Sequence, residues 1–118
     1  MSIVADLMTQ PGVIAAGQYA YRGDRFTHKG GLTEELARRA SIMCRATTMG
    51  TKMEGDMIAA FRPQCGIQPV RGWVVRGPNN TVCVIANVFC MIDNRQGSLN
   101  KILSFMRQAL ADEPLDLV

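Results

Sequence analysis

The sequence of 118 residues contains few of the side chains on which most enzymatic and metal chemistry depends. Its single histidine, His28, excludes any site that needs two histidines. None of its four serines has the G-x-S-x-G spacing of a nucleophile elbow. No glycine-rich phosphate loop of the Walker or Rossmann type occurs. These absences argue against hydrolase, kinase and dehydrogenase functions, and we expect a protein without catalytic residues, metal or cofactor.

The four cysteines do not form a recognisable metal or redox motif. None belongs to a C-x-x-C pair, the signature of zinc ribbons, iron–sulfur clusters and dithiol oxidoreductases. Cys83 and Cys90 lie seven residues apart in a strand, and this odd spacing predicts opposite faces. Both, like Cys44, are interpreted as small buried hydrophobic residues. Cys65 lies in the polar loop PQCG, where a thiol is accessible, so a thiol-dependent redox or sulfur-carrier protein acting through Cys65 is one alternative function.

Charge is also sparse and dispersed. The chain has 13 Lys and Arg residues against 10 Asp and Glu, and only Arg38 and Arg39 are adjacent basic residues. Nucleic-acid binding needs basic residues gathered on one face with aromatics among them, so we expect no nucleic-acid partner. No apolar run reaches the roughly 18 residues of a membrane span. Asp6 and the absence of a basic start argue against a secretory signal, which predicts a cytoplasmic protein with reduced thiols.

The spacing of apolar and turn residues predicts a single domain at 1–111 and a C-terminal tail at 112–118. With 47% hydrophobic and 19% charged residues, the chain is globular. The predicted elements are a short helix capped by Ser2, a β-hairpin over 13–28, a long helix after Thr33, strands at 68–77 and 81–92, and a final helix capped by Ser98. Short links between strands predict an α+β fold, an antiparallel β-sheet of four to five strands with helices packed on it. The stretch 81–92 fits either one strand or two.

Two apolar stripes run along the long helix. One contains Leu36, Ala40, Met43 and Thr47; the other contains Ile42, Ala46, Met49, Met53, Met57 and Ala60. A surface helix needs one such stripe, so two predict burial against two neighbours, the sheet and a second subunit. Helical spacing without nearby co-ligands argues against copper binding by the methionines, whose flexible thioethers suit adaptable interfaces. Gly50 and Gly55 each cost about 1 kcal/mol inside a helix and predict a bend, an end or close backbone packing.

This order of elements resembles the roadblock family of dynein light-chain-like proteins, part of the longin/profilin-like group. The resemblance covers residues 3–110. It is carried by the segment PGVIAAGQYAYRGDRF, the long helix from Thr33, the strands around GWVVRG and TVCVIANV, and the final amphipathic helix. A bacterial branch without a characterised function is the most similar. The family pattern α-β-β-α-β-β-(β)-α has five strands, whereas four are clear in this sequence. The content of thiols and methionines also exceeds what the family pattern requires.

The resemblance implies a non-catalytic, homodimeric adaptor or scaffold. Roadblock proteins engage small GTPases or anchor larger assemblies, and the bacterial branch points to a heterodisulfide-reductase-like complex as a partner. Family dimers join sheets edge to edge and pack their long helices together. On this chain we expect the dimer or partner interface to be formed by Met49, Met53, Met57, Arg45, Lys52, Val70, Trp73 and Val75, with Trp73 as its anchor. A small-ligand sensor with a pocket between sheet and helix is a further alternative.

Overall fold

The computed structural model describes residues 2–20, 22 and 25–112, which form three helices and one sheet. The elements in chain order are α1 (Ile3–Leu7), β1 (Val13–Tyr19), β2 (Phe26–Gly30), α2 (Glu34–Phe61), β3 (Gly72–Arg76), β4 (Asn80–Ile85), β5 (Val88–Asp93) and α3 (Leu99–Ala109). The strands are all antiparallel, in the order β2-β1-β5-β4-β3. This arrangement confirms the predicted α+β fold class. Part of the predicted hairpin, namely residue 21 at the end of its first strand and residues 23 and 24 of its turn, lies outside the described residues, as do the tail residues 113–118.

The fifth strand comes from the long apolar segment, which folds into the hairpin β4–β5. Its turn contains Ala86, whose φ of 54° is in the left-handed region, and Asn87, whose side-chain amide donates a 2.7 Å hydrogen bond to the carbonyl of Tyr19. Cys83 therefore pairs directly with Cys90 across the hairpin. The prediction that these cysteines lie on opposite faces is wrong, because the alternation rule holds only within one continuous strand.

Each helix begins at the hydroxyl residue that the sequence predicts. The side chains of Ser2, Thr33 and Ser98 accept hydrogen bonds from backbone N–H groups in the first turns of α1, α2 and α3. α2 then continues without interruption through both of its internal glycines to Phe61. The two glycines therefore do not end the helix, and their surroundings bear on the predicted alternative of close packing.

Both faces of the sheet are covered, and alternate residues of β4 enter two separate cores. The core under α1 and α3 has as its largest members Leu7, Ile92, Ile102, Met106 and Leu110. The core under α2 is built on Tyr19, Cys44, Val84 and Phe89. The three inner strands β1, β5 and β4 are largely covered on both sides, so within the described residues the edge strands β2 and β3 and the outer surfaces of the helices are the elements most open to other molecules.

Candidate functional site

The side of α2 that contacts the sheet is made of small residues rather than of the predicted apolar stripes. The residues buried there are Ala37, Ser41, Cys44, Thr48 and Gly55. The hydroxyls of Ser41 and Thr48 donate hydrogen bonds of 2.8 and 2.9 Å to the carbonyls four residues earlier in the helix. Their polar groups are thereby satisfied within the helix, so these residues can be buried against an apolar sheet at little cost.

The methionines of α2 lie on the opposite side of the helix. Met53 and Met57 follow the buried Cys44 and Thr48 by nine residues, which correspond to two and a half helical turns. Their side chains are 72% and 65% exposed, and that of Met49 is 47% exposed. The first stripe is also largely outside the core. Ala40 of the first stripe packs against the core under α2, but the large side chains of both stripes are exposed, so the prediction that one stripe would face the sheet is wrong.

We call the outward side of α2, which carries the large exposed side chains of both stripes, the apolar face of α2. Its large side chains are Leu36, Ile42, Met43, Met49, Met53, Met57 and Phe61, all at least one third exposed. Ala46 and Gly50 lie in its middle. Apart from its chain neighbours and the nearby backbone of α2 itself, no atom of the described residues lies within 4 Å of the position that a Cβ on Gly50 would occupy. Contiguous exposed apolar surface of this kind marks interaction sites in soluble proteins.

The edge strand β3 offers a second exposed apolar surface. Val75 is 59% exposed, and Val74 is also exposed on the other side of the strand. Because β3 is the last strand of the sheet, its outer backbone groups have no partner strand within the described part of the chain. Such an edge is a template for pairing with another chain.

Other residues of the predicted interface take part in contacts within the chain. The indole N–H of Trp73 donates a 2.7 Å hydrogen bond to the hydroxyl of Thr48, which fixes the ring against α2. Val70 packs on Gly55, where a Cβ would come within 2.5 Å of the Val70 Cγ2 atom. Arg45 and Lys52 are partly buried along the flank of α2, beside its apolar face. The structure thus groups the three methionines on one surface but turns Trp73 and Val70 toward their own helix.

The four thiols divide into one exposed and three buried groups. Cys65 is exposed, in the loop that leads from α2 to β3. Burial raises the pKa of Cys44 to about 12. The hydrogen bond to Cys83, followed by burial, raises the pKa of Cys90. Cys44 and Cys90 therefore remain protonated near neutral pH, and the accessible thiol is Cys65.

Two further properties concern the described residues as a whole. Across 2–20, 22 and 25–112, no three His, Cys, Asp or Glu side chains are grouped in a way that could hold a metal ion. Within the same ranges no helix combines the length and apolar character needed to cross a membrane. Besides the exposed surfaces, a cavity at the start of β3 stands out.

This cavity, which we call the corner cavity, has a volume of about 710 Å³ and lies where β3 begins. Its walls come from α2, the loop after α2, strands β3 and β4, and α3. Arg71 and Arg107 line it beside apolar side chains that include Trp73. The sequence suggested a pocket between sheet and helix but not these residues, because elements far apart in the chain meet here only after folding.

The chain is similar to known proteins in both sequence and fold. Residues 3–108 match the family described as an uncharacterized conserved protein, DUF2173. The fold is similar to the crystal structure of a Roadblock/LC7 domain from Streptomyces avermitilis, with a TM-score of 0.53 and 16% sequence identity, over 92% of this chain and 94% of that one. No curated protein matches the sequence. The predicted roadblock-like fold is thereby confirmed.

Proposed function

This chain belongs to the DUF2173 family and has a roadblock-like fold, and from this premise we propose that it is a non-catalytic, homodimeric protein–protein interaction module. The observation that carries the proposal is the apolar face of α2, which extends from Leu36 to Phe61 on the side turned away from the sheet. An adaptor or scaffold needs no reactive centre, and its function depends on surfaces of this kind.

A second copy of the chain is the occupant that suits this face best. A methionine side chain that is fully removed from water contributes about 1.5–3 kcal/mol to the free energy of association. A side chain that is already partly buried in the monomer contributes less. In a two-fold dimer every such contact occurs twice, so Met49, Met53 and Met57 would supply six buried thioethers. Flexible thioethers also adapt readily to one another at a helix crossing.

Gly50 supports a close approach of two helices. Glycine inside a helix costs about 1 kcal/mol relative to alanine, and no neighbour within the described chain requires the missing side chain at this position. The distance between packed helices depends on the side chains at their contact, so Ala46 and Gly50 would let two α2 helices cross closely. A partner helix gives a reason for this glycine that the single chain does not.

The edge strand β3 would extend the same interface. Val75 is exposed there, and pairing of two β3 edges would satisfy the backbone groups that an isolated sheet leaves to solvent. Arg45 and Lys52 flank the apolar face, where cations suit the carboxylates of a partner. The resemblance to roadblock proteins further implies, as partner of the dimer in a bacterial cytoplasm, a small GTPase or a heterodisulfide-reductase-like complex.

Size-exclusion chromatography with light scattering tests the dimer. The wild-type chain is expected to elute as a dimer at micromolar concentration, and Met53→Asp or Met57→Asp as a folded monomer, because a carboxylate would be buried at the crossing. Gln108→Asp introduces the same side chain at an exposed position of α3 and should leave the dimer intact. A wild-type chain that is monomeric and well folded under these conditions would overturn the proposal.

One observation favours a second candidate, a thiol-dependent redox or sulfur-carrier function through Cys65. Cys65 is exposed in a loop, whereas the other three cysteines are buried. This candidate does not conflict with the dimer, because Cys65 lies beyond the end of α2 rather than on its apolar face. It requires that the thiol of Cys65 react faster than an ordinary free thiol, and alkylation kinetics measure this directly.

A further inference from the structure

We propose that the corner cavity binds a small amphipathic carboxylate, with its apolar chain inside the cavity and its carboxylate held by Arg107 and Arg71. This site is independent of the proposed adaptor function and adds a ligand to it. The volume of about 710 Å³ lies within the range of roughly 300–1,000 Å³ that is typical of small-molecule sites.

The apolar lining comes from several separate elements. Ile58 lies on α2, Val70 precedes β3, Ile85 ends β4 and Leu103 lies on α3. Trp73 adds a large flat surface to this lining. Because these residues converge only in the folded chain, the cavity is a product of the fold rather than of a loose segment, and it would receive a hydrocarbon chain.

Positive charge predominates at the cavity. Arg71 and Arg107 line it, against the single carboxylate of Glu54. One guanidinium nitrogen of Arg71 lies 3.4 and 3.3 Å from the carbonyls of Leu110 and Ala111, at the end of α3. A guanidinium has five N–H donors, so most donors of Arg71 are available to a ligand. Planar, bidentate recognition of a carboxylate is the interaction for which arginine is best suited.

Contacts within the chain hold several of the cavity walls in place. The hydrogen bond from Trp73 to Thr48 holds the indole ring in place. Val70 packs on Gly55, and Gly72 lets β3 lie so close to β4 that a Cβ there would collide with the Val84 carbonyl oxygen. Because few side chains of a preformed cavity need to become ordered on binding, the entropic cost of binding is small, and a ligand of modest size can bind.

Fluorescence of Trp73 measures occupancy, since it is the only tryptophan of the chain. The emission of Trp73 is expected to change as decanoate is added and to reach a plateau when the site is full. The alcohol 1-decanol has the same chain without the charge and should bind roughly tenfold more weakly. Arg107→Gln should weaken decanoate to a similar degree and leave decanol unchanged. Lys101→Gln removes one charge from an exposed position of the same helix outside the cavity and should have no effect.

A steric variant tests the location of the ligand. Ala111 lines the cavity and is exposed, so Ala111→Phe should fill part of the space and abolish the decanoate response, whereas Ala109→Phe, also exposed but outside the cavity, should not. The proposal fails if decanoate gives no saturable response up to about 1 mM. It also fails if decanol binds as tightly as decanoate, or if the two phenylalanine variants behave alike.

Titration of the Met53→Asp variant with decanoate tests the ligand site independently of the proposed dimer. The cavity is lined by Ile58 and Gly55 of α2, whereas Met53 points to the apolar face. Decanoate binding by a monomeric Met53→Asp chain would support the site irrespective of assembly. A wild-type dimer without decanoate binding would overturn the site and leave the adaptor proposal intact.

Discussion

The indole N–H of Trp73 on β3 donates a hydrogen bond of 2.7 Å to the hydroxyl of Thr48 on α2, and that hydroxyl donates in turn to the carbonyl of Cys44, at 2.9 Å. The Thr48 hydroxyl thus acts as acceptor in one bond and as donor in the other. They join the edge strand to the long helix, the two elements proposed to form the dimer interface. Their relative position is therefore fixed by a specific polar contact as well as by apolar packing.

Removal of this hydroxyl is expected to destabilise the fold. Thr48→Val keeps the shape of the side chain but leaves the partly buried indole N–H without its partner, at a cost of about 1–3 kcal/mol in the free energy of unfolding. Thr47→Val is the control, because Thr47 is exposed on the same helix; since Thr47 lies on the apolar face, both variants are made in the monomeric Met53→Asp background. Urea denaturation of both variants checks the prediction, and equal stabilities would show that the Trp73 hydrogen bond contributes nothing measurable.

Gly50→Ala should affect folding and association in opposite directions. Within the monomeric Met53→Asp background, we expect the unfolding free energy to rise by about 1 kcal/mol, because alanine is the better helix former and no described atom opposes its methyl group. In the wild-type background the same methyl group should weaken the dimer, as measured by sedimentation.

Gly55→Ala is the matched comparison, since its Cβ would come within 2.5 Å of the Val70 Cγ2 atom. This substitution should lower stability in both backgrounds. A dimer as tight with Gly50→Ala as with Gly50 would show that the helices do not cross closely at this position.

Alkylation is expected to distinguish one thiol from the other three. Cys65 is exposed and should react with iodoacetamide in the native state, while Cys44, Cys83 and Cys90 should react only after unfolding. Mass spectrometry counts the modified thiols over time. Cys65→Ser should remove the fast reaction and keep the dimer, and a Cys65 rate no greater than that of free cysteine would remove the case for a thiol function.

The free energy of unfolding should decrease in alkaline solution, in part because the Cys44 thiol ionises more readily in the unfolded chain. Its thiol ionises near pH 9 in the unfolded chain but only near pH 12 in the folded one. Between these values the folded state binds more protons than the unfolded state, so stability is intact below pH 9 and falls as the pH rises. The slope from this one group is at most about 1.4 kcal/mol per pH unit.

Cys44→Ala should therefore show a shallower loss of stability above pH 9 than the wild-type chain, in urea denaturation at a series of pH values. Other alkaline groups are common to both proteins and cancel in the comparison. Parallel curves would contradict the raised pKa of Cys44.

Much of the fold could be predicted because its local signals agree with its tertiary structure. Ser2, Thr33 and Ser98 are side chains that cap helices, and each does so. The boundary between β4 and β5 was not predictable in the same way. Its turn has alanine, Ala86, at a positive φ where glycine, asparagine or aspartate is usual, and Asn87 alone was too weak a turn signal to divide the apolar segment.

The site was only partly predictable, for a reason specific to α2. Hydrophobic spacing identifies apolar stripes correctly but does not state which of them faces the protein's own core. Ser41 and Thr48 count as polar in such a pattern, yet their hydroxyls bond to the helix backbone and are buried. The corner cavity depends on distant segments and had no sequence signal beyond the individual arginines and the single tryptophan.

The outward apolar face of α2 also affects how long an unassembled subunit would persist in the cell. A helix of 28 residues is about 42 Å long, and a newly made subunit would present much of that length as apolar surface. Chaperones and proteases act on exposed surface of this type, so an unassembled copy would be removed faster than an assembled one. The abundance of the protein would then follow the supply of whatever covers α2, and its turnover would report on assembly.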